Sequence, residues 1–121
     1  MNAATIYIVD DDEAVRDSTR LLLESYHYLV RTFESGAALL AEDGMDDCDC
    51  LLLDLHMPGM NGVEAIEALR ARGDGTPAIL VTGKSDAQFR ARIAAAKVHI
   101  VLNKPVTSET LIRAIESAMA D

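Results

Sequence analysis

Five short runs of β-branched and leucine-rich residues punctuate the sequence: Thr5 to Val9, Tyr28 to Phe33, Leu51 to Leu55, Ala78 to Thr82 and Val98 to Leu102. Segments of helical periodicity lie between them. Strands that alternate with helices over short connections imply a parallel sheet with right-handed crossovers and helices on both faces. Three of the runs are almost wholly apolar, as strands covered on both faces are. Tyr28-Leu29-Val30-Arg31-Thr32-Phe33 is more mixed and suits a place nearer an edge. The expected fold is therefore α/β, a five-stranded, doubly wound parallel sheet. At 121 residues, half of them apolar, the chain is expected to form one domain over residues 1–121 around a single core.

Helix starts are legible too. The first helix is expected from Asp12 or Glu13, with Val15, Leu22, Leu23 and Tyr26 on its buried face. Ser35 can cap a short second helix. Asn61-Gly62-Val63-Glu64 sets an amide three residues ahead of a carboxylate, a capping-box start for a third helix carrying Val63, Ile66 and Leu69. Ser85-Asp86-Ala87-Gln88 repeats the device for a fourth. Thr107 caps the last, with Leu111, Ile112, Ile115 and Met119 along one face.

The charge balance removes some functions. With 11 basic and 20 acidic residues the net charge is −9, the wrong sign for a surface that tracks phosphates, so no direct nucleic-acid binding is expected. No apolar run reaches the roughly 18 residues of a membrane span. The first residues, Met1-Asn2-Ala3-Ala4-Thr5, do not resemble a signal peptide, which makes the cytosol the default compartment. Cys48 and Cys50 are too close in extended chain to bridge and have no second pair to complete a zinc site; they read as small buried residues.

In doubly wound sheets ligands bind beyond the carboxyl ends of the strands, where strand order reverses. Asp10, Asp11, Asp12 and Glu13 follow the first run, Asp54 falls within the third, Thr82 ends the fourth, and Lys104-Pro105 follows the fifth. Carboxylates gathered there repel unless a cation joins them or their pKa values rise. Mg²⁺ suits such a site, since it takes about six oxygens near 2.1 Å, often one or two carboxylates plus a phosphate. Asp11 and Asp54 are the expected direct ligands, with Asp10 acting through water and the backbone carbonyl of His56 adding an oxygen. With its charge offset, the Asp54 carboxylate is a nucleophile for a phosphoryl group. Thr82 would hydrogen-bond one phosphoryl oxygen, Lys104 would pair with another, and Gly83 would leave room for approach.

Each residue also has an ordinary reading. Asp12 is taken as a helix cap, and the whole acidic run as a loop feeding a helix N-terminus is the plain alternative. A threonine ending a strand and a Lys-Pro loop are commonplace singly. Asp54 resists such a reading, because a charge closing an apolar run needs a partner. Thr82-Gly83-Lys84-Ser85 imitates the end of a nucleotide-binding P-loop, but position 78 is Ala where that motif needs Gly. A phosphatase of the haloacid dehalogenase type would need Asp, not His56, two residues after the nucleophile.

Together these residues identify a family. Val9-Asp10-Asp11-Asp12-Glu13, Leu53-Asp54-Leu55-His56-Met57-Pro58-Gly59-Met60-Asn61-Gly62, Val81-Thr82-Gly83 and Lys104-Pro105 make the chain resemble, along nearly its whole length, the receiver domain of two-component response regulators. The resemblance is strongest to the nitrogen-fixation-regulator subfamily, which usually carries a downstream helix-turn-helix output domain. It implies the flavodoxin-like strand order 2-1-3-4-5. It implies that a sensor histidine kinase phosphorylates Asp54, that Asp10 and Asp11 form the acidic pocket with Mg²⁺, and that Thr82 and Lys104 bind the phosphoryl group. It also implies a phosphoacceptor assisting its own phosphorylation and slow dephosphorylation, not an enzyme, with output through the face of the fourth helix and fifth strand. Phe89, Ile93, Ile100 and Val101 are candidates there for partner binding or a phosphorylation-dependent homodimer.

Two departures matter. Val101 stands where the family usually has Tyr or Phe, with His99 two residues before it, and Lys97 stands where a Gly commonly precedes the fifth strand. They support a rival from another class: a receiver-like interaction module that no longer cycles phosphate. Lys84 and His56, each two residues beyond a site residue, border the pocket in the family, and Lys84 is expected to alter the phosphoryl lifetime.

Overall fold

In the computed structural model, residues 3–42, 45–83 and 87–120 are described. Their strands are β1 (Thr5–Val9), β2 (Leu29–Phe33), β3 (Cys50–Asp54), β4 (Ala78–Thr82) and β5 (Ile100–Asn103). All neighbouring pairs are parallel and the order is β2-β1-β3-β4-β5. The three central strands are almost fully buried, whereas β2 and β5, each with one neighbour, are largely exposed. Apolar runs thus mark the interior of the sheet and mixed ones its edges.

Helices α1 (Glu13–Ser25), α2 (Gly36–Leu40), α3 (Gly62–Ala71), α4 (Arg90–Ala95) and α5 (Ser108–Ala120) complete the alternation. Side-chain alternation along the strands divides the core in two. Tyr7, Val9, Leu51, Leu53 and Leu80 pack against α2 and α3 on one face; Ile6, Ile8, Cys50, Leu52 and Ile79 pack against α1 and α5 on the other. The caps lie where the sequence put them: Ser35 Oγ accepts from Ala38 N, Asn61 and Glu64 form the reciprocal capping box, and Thr107 Oγ1 accepts from Thr110 N. Ser85 and Asp86 lie outside the described residues. A 3₁₀ turn over Ala87–Phe89 leads into α4, whose N-cap residue Phe89 makes no side-chain cap.

The expected buried face of α1 is only half right. Leu23 is fully buried, but Val15 and Tyr26 are 38% and 48% exposed. Tyr26 is the C-cap, past the last helical turn, and Val15 lines an open cleft between α1 and α5. Cys48 and Cys50 are buried free thiols, as expected, and burial pushes both up to about 12, far from reactivity at neutral pH.

Both α1 and α4 end on non-glycine residues in the left-handed region, His27 at φ 70° and Lys97 at φ 58°. Lys97 therefore takes the conformation that a glycine would take more easily. The turn is held from below by Arg70 of α3, which donates to the carbonyl oxygens of Ala96 and Lys97 at 3.0 Å each, and to those of Asp74 and Thr76 at 3.0 and 2.9 Å. β5 begins at Ile100, two residues later than expected. Lys97→Gly should stabilise the chain by about 1 kcal/mol, the left-handed penalty relieved less the added chain entropy. A rise in the urea unfolding midpoint at constant m-value checks it.

Candidate functional site

The reversal of strand order falls between β1 and β3, and the acidic residues gather there. Asp10 follows β1 and continues its ladder, its N–H donating to Phe33 O at 3.1 Å. Asp12 turns away: its Oδ1 accepts from Ala14 N and Val15 N at 2.9 and 3.3 Å, capping α1. Asp54 is the last residue of β3. Oxygens of Asp10, Asp11 and Asp54 all lie within 4.8 Å of one another. Asp10 and Asp54 are buried and Asp11 is exposed.

Burial is the main force on Asp10, raising its carboxyl above the usual range. The N–H of Asp12, 2.9 Å from Asp10 Oδ1, opposes that shift; the Asp54 charge adds to it, Lys104 opposes it, and Asp11 adds to it. Asp54 Oδ1 is buried and accepts no hydrogen bond; Lys104 Nζ stands 3.4 Å away as an ion pair. At that distance, on a half-exposed lysine, the contact offsets charge without satisfying the oxygen's lone pairs. A buried carboxylate left in this condition is costly, and a further cation relieves it. Two oxygens facing each other across Mg²⁺ stand about 4.2 Å apart, twice its bond length, so the three carboxylates fit such an ion.

Thr82, the last residue of β4, is buried beside this group, and Thr82 O accepts from Lys104 N at 2.8 Å, tying the Lys104 loop to the end of β4. Asp10, Asp11, Asp54, Thr82 and Lys104 thus gather at the carboxyl end of the sheet. His56 is exposed in the β3–α3 loop. Lys84 lies outside the described residues. Among the described residues, a methyl group at Gly83 would meet only Lys104 Cδ at 3.9 Å. His99 does not reach the site. Its Nδ1 lies 3.4 Å from Ala78 N, at the amino end of β4, so it does not stand in for the missing aromatic. On the α4–β5 face, Phe89, Ile93 and Ile100 are half-buried against the core, and Val101 is exposed.

Two roles escape sequence reading. Arg16 of α1 donates from Nη1 to Asp10 O at 2.7 Å, fixing the turn that presents Asp10 and Asp11. Gly62 opens α3 directly behind Asp54: a Cβ there would lie 2.5 Å from Asp54 O. Neither has a periodic signal, since one acts through a backbone carbonyl and the other through the absence of a side chain.

Comparison with known proteins agrees with this fold. Residues 6–116 match the family model described as the response regulator receiver domain. The chain is 38% identical to the C4-dicarboxylate transport transcriptional regulatory protein DctR of Rhodobacter capsulatus, over 96% of this chain and 60% of that one. It is 35% identical to the transcriptional regulatory protein FixJ of Bradyrhizobium diazoefficiens, over 94% of this chain and 56% of that one. It spans just over half the length of these relatives. The crystal structure of FixJ-N superposes with a TM-score of 0.87 at 33% identity, covering 99% of this chain and 96% of that one. Among the described residues no helix is long and apolar enough to cross a membrane.

Proposed function

The chain belongs to the response regulator receiver domain family, and on that footing we propose that it is a phosphorelay switch whose Asp54 takes a phosphoryl group from a phosphohistidine of a sensor histidine kinase. The observation that carries this reading is the orphaned, buried Asp54 Oδ1 facing two further carboxylates and the Lys104 ammonium. A carboxylate oxygen of Asp54 attacks phosphorus, the P–N bond breaks, and its electron pair returns to the imidazole, which takes up a proton. Lys104 pairs with a phosphoryl oxygen and the Thr82 hydroxyl binds another. Asp11, Asp54 and the His56 carbonyl would hold Mg²⁺ directly and Asp10 would hold it through water, and the bound ion would supply positive charge to offset that on the phosphoryl oxygens. Water later attacks the same phosphorus, releasing phosphate, so the domain is a phosphoacceptor that assists its own turnover and not an enzyme acting on a separate substrate.

The test needs no kinase. Incubation with Mg²⁺ and a small acyl phosphate should add one phosphoryl mass to the chain and none to Asp54→Asn. An unmodified parent chain would favour the interaction module without phosphate cycling. The left-handed Lys97 removes one support for that rival, because the turn a glycine would make is made anyway.

Residues 1–121 act as a receiver that works on a partner or an output domain, with transcription as the output of its relatives' kind and the cytosol as its compartment. The α4–β5 face, with Val101 at 41% exposure, is the proposed route. Phosphorylation should shift self-association through this face or affinity for a partner. Sedimentation with and without acyl phosphate reads the former, and identical profiles together with equal partner affinities would contradict it, since a modification moves an equilibrium only by differential stabilisation.

A further inference from the structure

We propose that the acidic pocket continues into a binding cleft for hydrophobic organic cations: an aromatic or short alkyl body bearing an ammonium, amidinium or guanidinium head. α1 and α5 cover the same face of the sheet but leave a cleft of about 700 Å³ between them, within the usual size of small-ligand sites. Its walls are apolar, built by Ile8, Leu52 and Val81 of the sheet, Leu22 of α1 and Leu111 of α5. Its lining also includes Asp10, Asp54 and Lys104.

The two kinds of lining select one ligand class. A neutral apolar molecule would fill the walls and leave Asp54 Oδ1 still without a donor. An anion would meet Asp10, Asp11 and Asp54, whose three carboxylates outnumber, among the described residues, the Lys104 and Arg16 cations beside them. A bare cation gains nothing from the apolar walls. A head group with N–H donors makes charge-assisted hydrogen bonds to the Asp10 and Asp54 carboxylates that line the cleft while its body removes apolar surface from water. Such a ligand and a divalent cation need the same oxygens, so each excludes the other. Its binding rests on the cleft and its charge alone; that it would block phosphorylation rests on the phosphoryl reading of Asp54.

Calorimetric titration of the metal-free chain with phenylbutylguanidinium tests this, with guanidinium and phenylbutyrate as controls. The amphiphile should bind at least about tenfold more tightly than guanidinium, and saturating Mg²⁺ should weaken it at least about tenfold. Ser18→Trp, a change at an exposed position on the cleft wall, should weaken it by a similar factor and leave Mg²⁺ affinity unchanged. Equal binding of phenylbutyrate, or indifference to either Mg²⁺ or Ser18→Trp, would overturn the proposal. Binding as expected by a chain that acquires no phosphoryl group from acyl phosphate would instead sink the phosphoryl reading and leave the cleft standing.

Discussion

Gly62→Ala is expected to destabilise the chain by about 3 kcal/mol, at the upper end of ordinary overpacking costs, and to impair phosphorylation of Asp54 with it. The first residue of α3 sits so close to the end of β3 that a Cβ would lie 2.5 Å from Asp54 O, 2.7 Å from Leu80 Cδ1 and 3.1 Å from Leu55 Cα. Two of those three atoms are backbone and cannot swing aside. Gly62 N also donates to Leu55 O at 3.0 Å, so α3 is pinned to the strand end at the point of contact. Alanine's better helix propensity, worth at most about 1 kcal/mol, acts in the opposite direction and is too small to win. Relief must come from lifting α3 or displacing the backbone of Asp54, and the second moves the proposed acceptor carboxylate. Gly75→Ala is the control, because nothing lies within 4 Å of a methyl group there; it should stay within about 0.5 kcal/mol of the parent. Equal unfolding midpoints for Gly62→Ala and the parent would show that the helix start gives way cheaply.

How much of this was legible in the sequence follows from the range over which each feature acts. Caps are local: Ser35, Asn61 with Glu64, and Thr107 bond within three residues, and all three were readable from spacing. The central strands were readable because burial on both faces leaves an unbroken apolar run, as in Cys50-Leu51-Leu52-Leu53. Asp54 was readable as the charge that such a run does not tolerate without a cation. What stayed hidden depends on distant chain. The left-handed turn before β5 is held by Arg70, more than 20 residues earlier, and Val15 looks like a core residue until α5 is seen to leave a cleft beside it. His99 shares a strand face with Val101 by alternation, yet sits at the opposite end of the sheet from the carboxylates, a distance that periodicity does not encode.

Asp10→Asn should make the metal-free chain more stable than the parent and the Mg²⁺-loaded chain less stable, reversing their order. Asparagine keeps an oxygen for the Asp12 N–H, now accepted at 2.9 Å, and removes the charge. Burial raises the Asp10 carboxyl above its usual 3.8, so the folded chain holds that proton more tightly than the unfolded chain does. Its contribution to stability is therefore full below the unfolded value and is lost as pH rises through the higher folded one. With chelator present, variant and parent should differ little below pH 3.8, then diverge in favour of Asn as the pH climbs, by about 1 kcal/mol once Asp10 is ionised, a common size for one substitution. Mg²⁺ reverses the sign, since ligand at a hundredfold excess over Kd stabilises a chain that binds only when folded by about 2.7 kcal/mol, and the variant loses a carboxylate of the proposed site. Thermal unfolding with chelator and with Mg²⁺ measures both halves. A variant less stable than the parent in chelator at neutral pH would mean that the Asp10 carboxylate is already satisfied without metal. Equal Mg²⁺ gains in the two chains would remove Asp10 from the metal site.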